Sequence, residues 1–431
     1  MPRLAIIADD LTGANDTGVQ FRKYGLKTVV SLQTHPGEWI RDTDIVVVDT
    51  DSRALAAEQA AERVRRACRM FSSNAVGSFY KKVDSTLRGN LGAEIDAACE
   101  EFLPVITIIA PAFPKTGRTT VGGYQLLQGI PISLTEVGCD PKTPVHEAYI
   151  PKLLLEYGGT RLGQVPLHTV DEGAAAIASA MQELKKAGQT WIVCDAASEN
   201  HLRHIIEAAL QFKKILWVGS AGLAEQLAVV LNWTKNGAQV TEEMHCSSVV
   251  VAAGSVSETT RNQVLQYVEE AQAINLILDP VAAIRSPQAE GQRLSALAGP
   301  LLKEKNFVLS CDNERDLIEQ AMKAGTISGL CANEVGEKIA SAMGIAVSEL
   351  VRMGADGLFL TGGETAISCC RELGATGLEI CQEVVPGIPL SRLVGGLFHG
   401  LPIVTKAGAF GDCHAITVSV DTLKGRHSPE K

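Results

Sequence analysis

The chain has no apolar run near the roughly 18 residues that a bilayer crossing needs, and no surplus of positive charge. Lys and Arg number 39 against 49 Asp and Glu, a net charge of −10. That balance opposes non-specific binding to nucleic acid or to an anionic membrane. It leaves room for a locally basic pocket and an anionic substrate. The N-terminal stretch MPRLAIIADD has a short apolar run followed by two acids, so no signal peptide is expected there. The eleven cysteines are odd in number and scattered, and no CxxC pair exists. The expectation is reduced thiols in a cytoplasmic protein, with no zinc or other metal site built from side chains. GxxxxGK[ST] is missing, which excludes a P-loop NTPase, and so is GxGxxG after a strand. Kinase-type HRD and DFG elements are missing too. No repeat of solenoid period and no low-complexity tract is found.

What remains is a regular alternation. A length of 431 residues suggests two domains, since single cores stop growing near about 250–300 residues. Short β-branched runs read as strands at 4–8, 27–32, 44–49, 78–83, 105–110, 191–196 and 215–220. Helical stretches are expected at 14–25, 56–70 and 92–102. Continuous apolar strands separated by helices indicate an α/β fold, with mostly parallel sheets covered on both faces. The segment 113–147, rich in Gly and Pro, breaks the rhythm and reads as a long excursion or small hairpin over a site or a subunit contact. A polar stretch at 232–247 reads as a linker, which sets domains at 1–235 and 247–431. After it, SVVVAAGS at 248–255 restarts the strand-then-glycine pattern, and strands are expected near 274–278, 306–310, 357–361 and 402–406.

In the second half, three glycine turns follow strands: Ala253 to Ser257, Thr361 to Thr365, and Lys406 to Asp412. Glycine lets backbone approach an anion, and a following helix N-terminus adds free N–H donors. Each turn alone reads more simply as a tight connection. Three together suggest a nucleotide site in which backbone amides hold phosphates, with Mg2+ joining the β- and γ-oxygens.

In the first half, strand 4–8 ends in Asp9 and Asp10, ahead of Gly13 and a helix start. Asp9 is a candidate hydroxyl acceptor or general base. Asp16 reads equally well as a first-turn carboxylate favoured by the helix dipole. Strand 44–49 ends in Asp49, Asp51 and Arg53, and the planar fork of arginine suits a carboxylate. Strand 78–83 carries Lys81 and Lys82, and then Val83, Asp84, Ser85, Thr86 and Arg88. Successive strand residues face opposite sides, so Lys81 and Lys82 are not expected to share one pocket. Together these ends fit a small, polyhydroxylated, anionic ligand.

Eight stretches in order resemble the four-carbon acid sugar kinase family. They are ADDLTGANDTGVQ at 8–20, DTDSRAL at 49–55, YKKVDSTLRGN at 80–90, PAFPKTGRTTVGGYQLL at 111–127, GSAGLAEQLA at 219–228, AGSVSETTRNQ at 253–263, LTGGETA at 360–366 and KAGAFGD at 406–412. The resemblance implies a substrate-binding N-terminal domain, an ATP-binding C-terminal domain and an active site in the interdomain cleft. It implies that Asp9, Arg53, Lys81, Lys82, Val83 and Asp84 bind the sugar acid. It also implies that Ser255, Thr361, Gly362, Gly363, Glu364 and Gly408 bind ATP. GANDTGVQ, in place of a GATD-type sequence, resembles the D-threonate or D-erythronate branch, with L-threonate and 3-oxo-tetronate as alternatives.

The mechanism expected is in-line transfer of the γ-phosphoryl group to the C4 hydroxyl. Arg53 and a pocket lysine would hold the C1 carboxylate, and Asp9 or Asp84 would orient inner hydroxyls. The catalytic candidates are Asp84, Asp9 and Asp412. Domain closure about the linker would exclude water. A homodimer is compatible with the excursion at 113–147. Rival readings are a phosphohydrolase using Asp49 and Asp51, a dinucleotide-dependent oxidoreductase, and a non-catalytic sugar-acid sensor.

Overall fold

Residues 4–8, with two isoleucines and no polar side chain, are buried at every position. The same holds for the valine run that ends at Asp49, so both strands must lie inside a sheet covered on its two faces. The structure is a computed structural model. It describes residues 2–33, 38–71, 76–140, 143–234, 243–255, 257–311 and 315–426. It divides into two units, Met1–Gln239 and Val240–Lys431. Half of the expected linker, residues 235–242, lies outside the described residues.

The strands of the first unit are β1 (Leu4–Ala8), β2 (Thr28–Ser31), β3 (Ile45–Asp49), β4 (Ser78–Lys82), β5 (Ile106–Ala110), β6 (Arg118–Val121), β7 (Tyr124–Leu127), β8 (Ile130–Pro131), β9 (Leu162–Val165), β10 (Trp191–Cys194) and β11 (Ile215–Gly219). Eight of them form a sheet in the order β2-β3-β1-β4-β11-β5-β10-β9, and every pairing in it is parallel. Ala8 lies beside Asp49, and Ile7 beside Lys81. The motif-bearing ends of β3, β1 and β4 are therefore neighbours, where α/β sheets place their ligands. The core beneath them includes Ile7, Val48, Phe79, Ile95 and Val218. The segment after β5 forms the antiparallel three-stranded sheet β6-β7-β8. Its β6–β7 turn is tied down by Asp195, at the end of β10, whose buried carboxylate accepts the N–H groups of Gly122 (2.6 Å), Gly123 (2.8 Å) and Leu167 (3.0 Å).

The second unit contains β12 (Val249–Ala253), β13 (Ile274–Leu278), β14 (Phe307–Cys311), β15 (Gly357–Thr361), β16 (Gly377–Val385), β17 (Ile388–Val394) and β18 (Pro402–Lys406). Their order is β13-β14-β12-β15-β18-β17-β16. The first five are parallel, while β17 runs antiparallel to both β16 and β18. The hairpin β16–β17 closes through Pro386 and Gly387, with Gly387 at φ 79. A side chain at Gly387 would also run into the Phe410 ring. The three glycine turns follow β12, β15 and β18, which are adjacent in the sheet.

Candidate active site

Helix Leu11–Arg22 starts directly after β1 because Asp10 caps it, accepting the Gly13 N–H at 2.9 Å. A carboxylate there satisfies an orphan donor and meets the positive end of the helix. The loop after β3 folds back over the same strand end. Thr50 N donates to the Ala8 carbonyl, and Ser52 N and Arg53 N donate to the Asp9 carbonyl. Asp51 makes this turn at φ 46, a conformation that non-glycine residues adopt at a cost.

That backbone path brings Arg53 onto both aspartates. Its Nε and Nη2 donate to Asp9 at 2.7 and 3.0 Å, and its Nη1 and Nη2 donate to Asp10 at 2.7 Å each. Burial works against ionising Asp9, but the Arg53 guanidinium outweighs it and holds the carboxyl below its usual range, helped by Lys81 and Lys82. Asp10 goes the other way, pushed up by burial and by the Asp9 charge.

The two lysines of β4 part company, as strand alternation requires. Lys81 is fully buried and pairs with Glu94 of helix Leu91–Phe102 at 2.7 Å; it also donates to the carbonyls of Ile7 and Lys82. Glu94 accepts from Ser52 Oγ at 2.7 Å as well, which ties the loop after β3 to this buried pair. Lys82 points to the aspartate side. A Cβ on Gly13 would lie 2.8 Å from Lys82 Nζ and 2.6 Å from Asp10 Oδ1. Glycine at 13 is thus what lets this ammonium approach. Of the two lysines expected at the substrate, Lys82 lies against Asp10 across Gly13, while Lys81 is engaged by Glu94 and reaches Asp9 through its charge.

Asp84 follows Val83, itself a buried core residue. Asp84 Oδ2 accepts from Thr86 Oγ1 at 2.5 Å and from Arg88 Nε at 2.6 Å. Burial raises its pKa, but Arg88 and then Arg53 drive it well below the ordinary carboxylate range. A carboxylate so firmly ionised is a weak base and a good hydroxyl acceptor. Beside this cluster, Arg53, Leu55, Leu87, Gly89, Asn90 and His146 line a cleft of about 270 Å³. That lies just below the ~300–1,000 Å³ typical of drug-sized ligands, a scale suited to a small metabolite.

Two residues of this region received no role from the sequence. Glu94 left no local signal, being separated from Lys81 by a turn and part of a helix. Arg118, at the start of β6, donates to the Thr116 carbonyl at 3.0 Å, while its buried Nε has no hydrogen-bond partner. Burial lowers its pKa, with Asp84 the first acid to oppose that.

Asp49 is buried and accepts from Asp51 N at 2.9 Å. Burial, and then the Asp51 charge, push its pKa well above normal.

In the second unit the three turns converge. A Cβ on Gly362, itself at φ 103, would lie 3.2 Å from Ser255 N. One on Gly408 would meet Ser255 Oγ, and Ser257 Oγ at 3.0 Å. Thr361 is fully buried at the end of β15, and Gly363 and Glu364 open helix Gly363–Glu372. Asp412 is exposed and accepts the His414 N–H at 3.0 Å. Backbone from Ser255, Gly362 and Gly408 is thus gathered at the ends of three adjacent parallel strands. Among the described residues, no group of three or more His, Cys, Asp or Glu is arranged to hold a metal.

The first unit thus gathers charged side chains, and the second gathers glycine turns, each at the ends of its own parallel strands. Comparison with known proteins shows the family. A family model described as a sugar-binding N-terminal domain matches residues 4–227, and one described as a nucleotide-binding C-terminal domain matches residues 250–416. The chain belongs to the four-carbon acid sugar kinase family and is an enzyme of that class. It is 35% identical to a D-erythronate kinase of Heliobacterium modesticaldum, over 100% of this chain and 99% of that one. It is 34% identical to a D-threonate kinase of Salmonella typhimurium, over 95% of each. A crystal structure of a Haemophilus influenzae protein, 26% identical, superposes with a TM-score of 0.74, covering 97% of this chain and 100% of that one.

Proposed function

We propose that the enzyme transfers the γ-phosphoryl group of ATP to the C4 hydroxyl of D-threonate, giving 4-phospho-D-threonate and ADP. D-erythronate, L-threonate and 3-oxo-tetronate present the same carboxylate and terminal hydroxyl and are the alternatives. The observation that carries this reading is the cluster of Asp9, Asp10, Arg53, Lys82 and Asp84 at three adjacent strand ends. Cations there suit the C1 carboxylate, and the aspartates suit the hydroxyls of a short polyol.

In the transfer, the C4 oxygen bonds to the γ-phosphorus, and the bond from that phosphorus to the β–γ bridging oxygen breaks. The hydroxyl proton leaves to a carboxylate or to water. A loose transition state asks little of a base. The low pKa of Asp84 therefore favours a positioning role for it, with Asp9 and Asp412 as the other candidates. Arg53 and Lys82 would hold the carboxylate. Lys81 would act through Glu94 and the strand end, not on the substrate. Ser255, Thr361, Gly362, Gly363, Glu364 and Gly408 would hold the nucleotide. Mg2+ would arrive on the phosphate oxygens, with one or two carboxylates at most, as is usual for this ion.

Two further assignments belong to the same proposal. The enzyme is cytoplasmic, supported by eleven free cysteines and by the lack, among described residues, of a helix long and apolar enough to cross a membrane. It forms a homodimer through the β6–β8 sheet, supported by the exposed Val121, Tyr124 and Ile130 there and Leu134 just after it. Light scattering after size exclusion would read its mass directly.

The test is a coupled ADP-release assay over a panel of four-carbon acids, run on the wild type and on Arg53→Ala. Charge-assisted hydrogen bonds contribute about 1.5–3 kcal/mol each. The KM for the acid should therefore rise about 10–100-fold. Absence of acid-dependent ADP release, or an Arg53→Ala enzyme with normal KM and kcat, overturns the proposal.

A further inference from the structure

Lys406 is the last residue of β18 and is 3% exposed. Among the described residues, no carboxylate pairs with it. Its Nζ instead donates to main-chain carbonyls of the turn that follows: Ala407 at 2.7 Å, Gly408 at 2.9 Å and Phe410 at 3.2 Å. Gln263, fully buried in helix Glu258–Ala271, completes the set. Its Nε2 donates to Phe410 at 3.0 Å, Gly411 at 3.2 Å and Asp412 at 2.7 Å. Ser257 Oγ and Thr260 Oγ1 add bonds to the Gly408 carbonyl at 2.8 and 2.9 Å.

Of the six carbonyls at 407–412, only that of Ala409 is not drawn inward in this way. No peptide here is cis, and in a planar trans peptide the N–H points opposite to the C=O. Five inward carbonyls therefore turn the N–H groups of Gly408, Ala409, Gly411, Asp412 and Cys413 away from the buried pair. Successive outward amides make an anion-binding concavity. The left-handed Gly411, at φ 77, permits the necessary bend.

We propose that Lys406 and Gln263 are the positioning residues of the nucleotide site, setting the peptide planes of 407–412 so that their amides face the phosphates. The inference rests on the reading of this turn as a phosphate site. The arrangement carries a cost. Gln263 Oε1 is left buried without a partner, away from the turn, which is unfavourable. Burial also pulls the Lys406 ammonium down to about 7. Both groups are engaged by carbonyls of the turn, so the part proposed for them is positioning.

Binding of ATP, and of inorganic pyrophosphate as a simpler probe, would be measured by titration calorimetry on the full chain. The variants are Lys406→Met, Lys406→Gln and Gln263→Met, with melting curves to verify folding. ATP and pyrophosphate affinity should fall at least tenfold in Lys406→Met and Gln263→Met. Lys406→Gln, which keeps two N–H donors, should fall less. Affinity for the four-carbon acid, measured without nucleotide, should stay within twofold, a split that general destabilisation would not produce. Should Lys406→Met not fold, Gln263→Met carries the test alone. Folded variants with wild-type ATP affinity overturn the inference while leaving the kinase reading intact. A wild type that binds neither ATP nor pyrophosphate overturns the nucleotide site itself. ATP binding with the expected losses, but no acid turnover, supports the positioning role and sinks only the substrate assignment.

Discussion

At the scale of single residues, the site stores charge in pairs. Arg53 makes four contacts to two aspartates, so its guanidinium is already fixed in position. Lys81 and Glu94 form the more deeply buried pair, at 0% and 3% side-chain exposure. Taking one charge from such a pair strands the other in a medium that solvates it poorly. Lys81→Met should therefore lower stability by about 3–5 kcal/mol, read as a shift in the urea midpoint. Adding Glu94→Leu should recover much of that loss, because the stranded charge goes with it. A single variant as stable as the wild type would show that the pair does not matter for folding.

At the scale of elements, the excursion after β5 depends on one carboxylate. Asp195 accepts three backbone N–H groups, two from the β6–β7 turn and one from the start of helix Leu167–Asp171. Asp195→Ala leaves those donors without their acceptor, and the Gly123 N–H, which is buried, costs about 1–3 kcal/mol when left unsatisfied. Hydrogen exchange should quicken at Gly122, Gly123 and Leu167 while the parallel sheet stays protected. The central strands were legible in the sequence because each is a continuous apolar run. β1, β13 and β15 coincide with their expected spans. The hairpin β16–β17 was not read, because GLEICQEVV mixes charges into the strand. Its signal was the Pro386-Gly387 pair, a turn former between two β-capable runs. β9 was missed too, since LGQV carries a glycine and is only partly buried. The helix expected from residue 14 starts at Leu11, because Asp10 acts as its cap. Within the site, the separation of Lys81 from Lys82 followed from alternation alone. Glu94 and Arg118 did not follow, since their meaning comes from non-local packing.

At the scale of the whole molecule, the perturbed carboxylates make stability depend on pH in two opposed ways. Asp84 and Asp9 have depressed pKa values in the fold. Their contribution is complete above the unfolded value near ~3.9 and is lost as pH falls through the folded values. Asp49 is raised, so its cost grows as pH climbs past ~3.9. Wild-type stability should thus drop steeply below pH ~4. Asp49→Asn, which mimics the protonated acid and keeps an acceptor for Asp51 N, should be more stable than wild type at pH 7 and no more stable at pH 3. Denaturation curves at the two pH values decide this, and an equal effect at both would contradict the assignment.

The peptide orientation of 407–412 has a consequence for how the gene would tolerate change. If triphosphate is recognised by main-chain atoms, which every amino acid possesses, ligand contact exerts little selection on side-chain identity along the rim. A saturation library of this stretch would then look permissive at Ala409 and demanding at Gly408 and Gly411, where space and handedness decide. Its strongest signals would come from Lys406 and Gln263 underneath, two positions that a map drawn only from ligand contacts would leave blank.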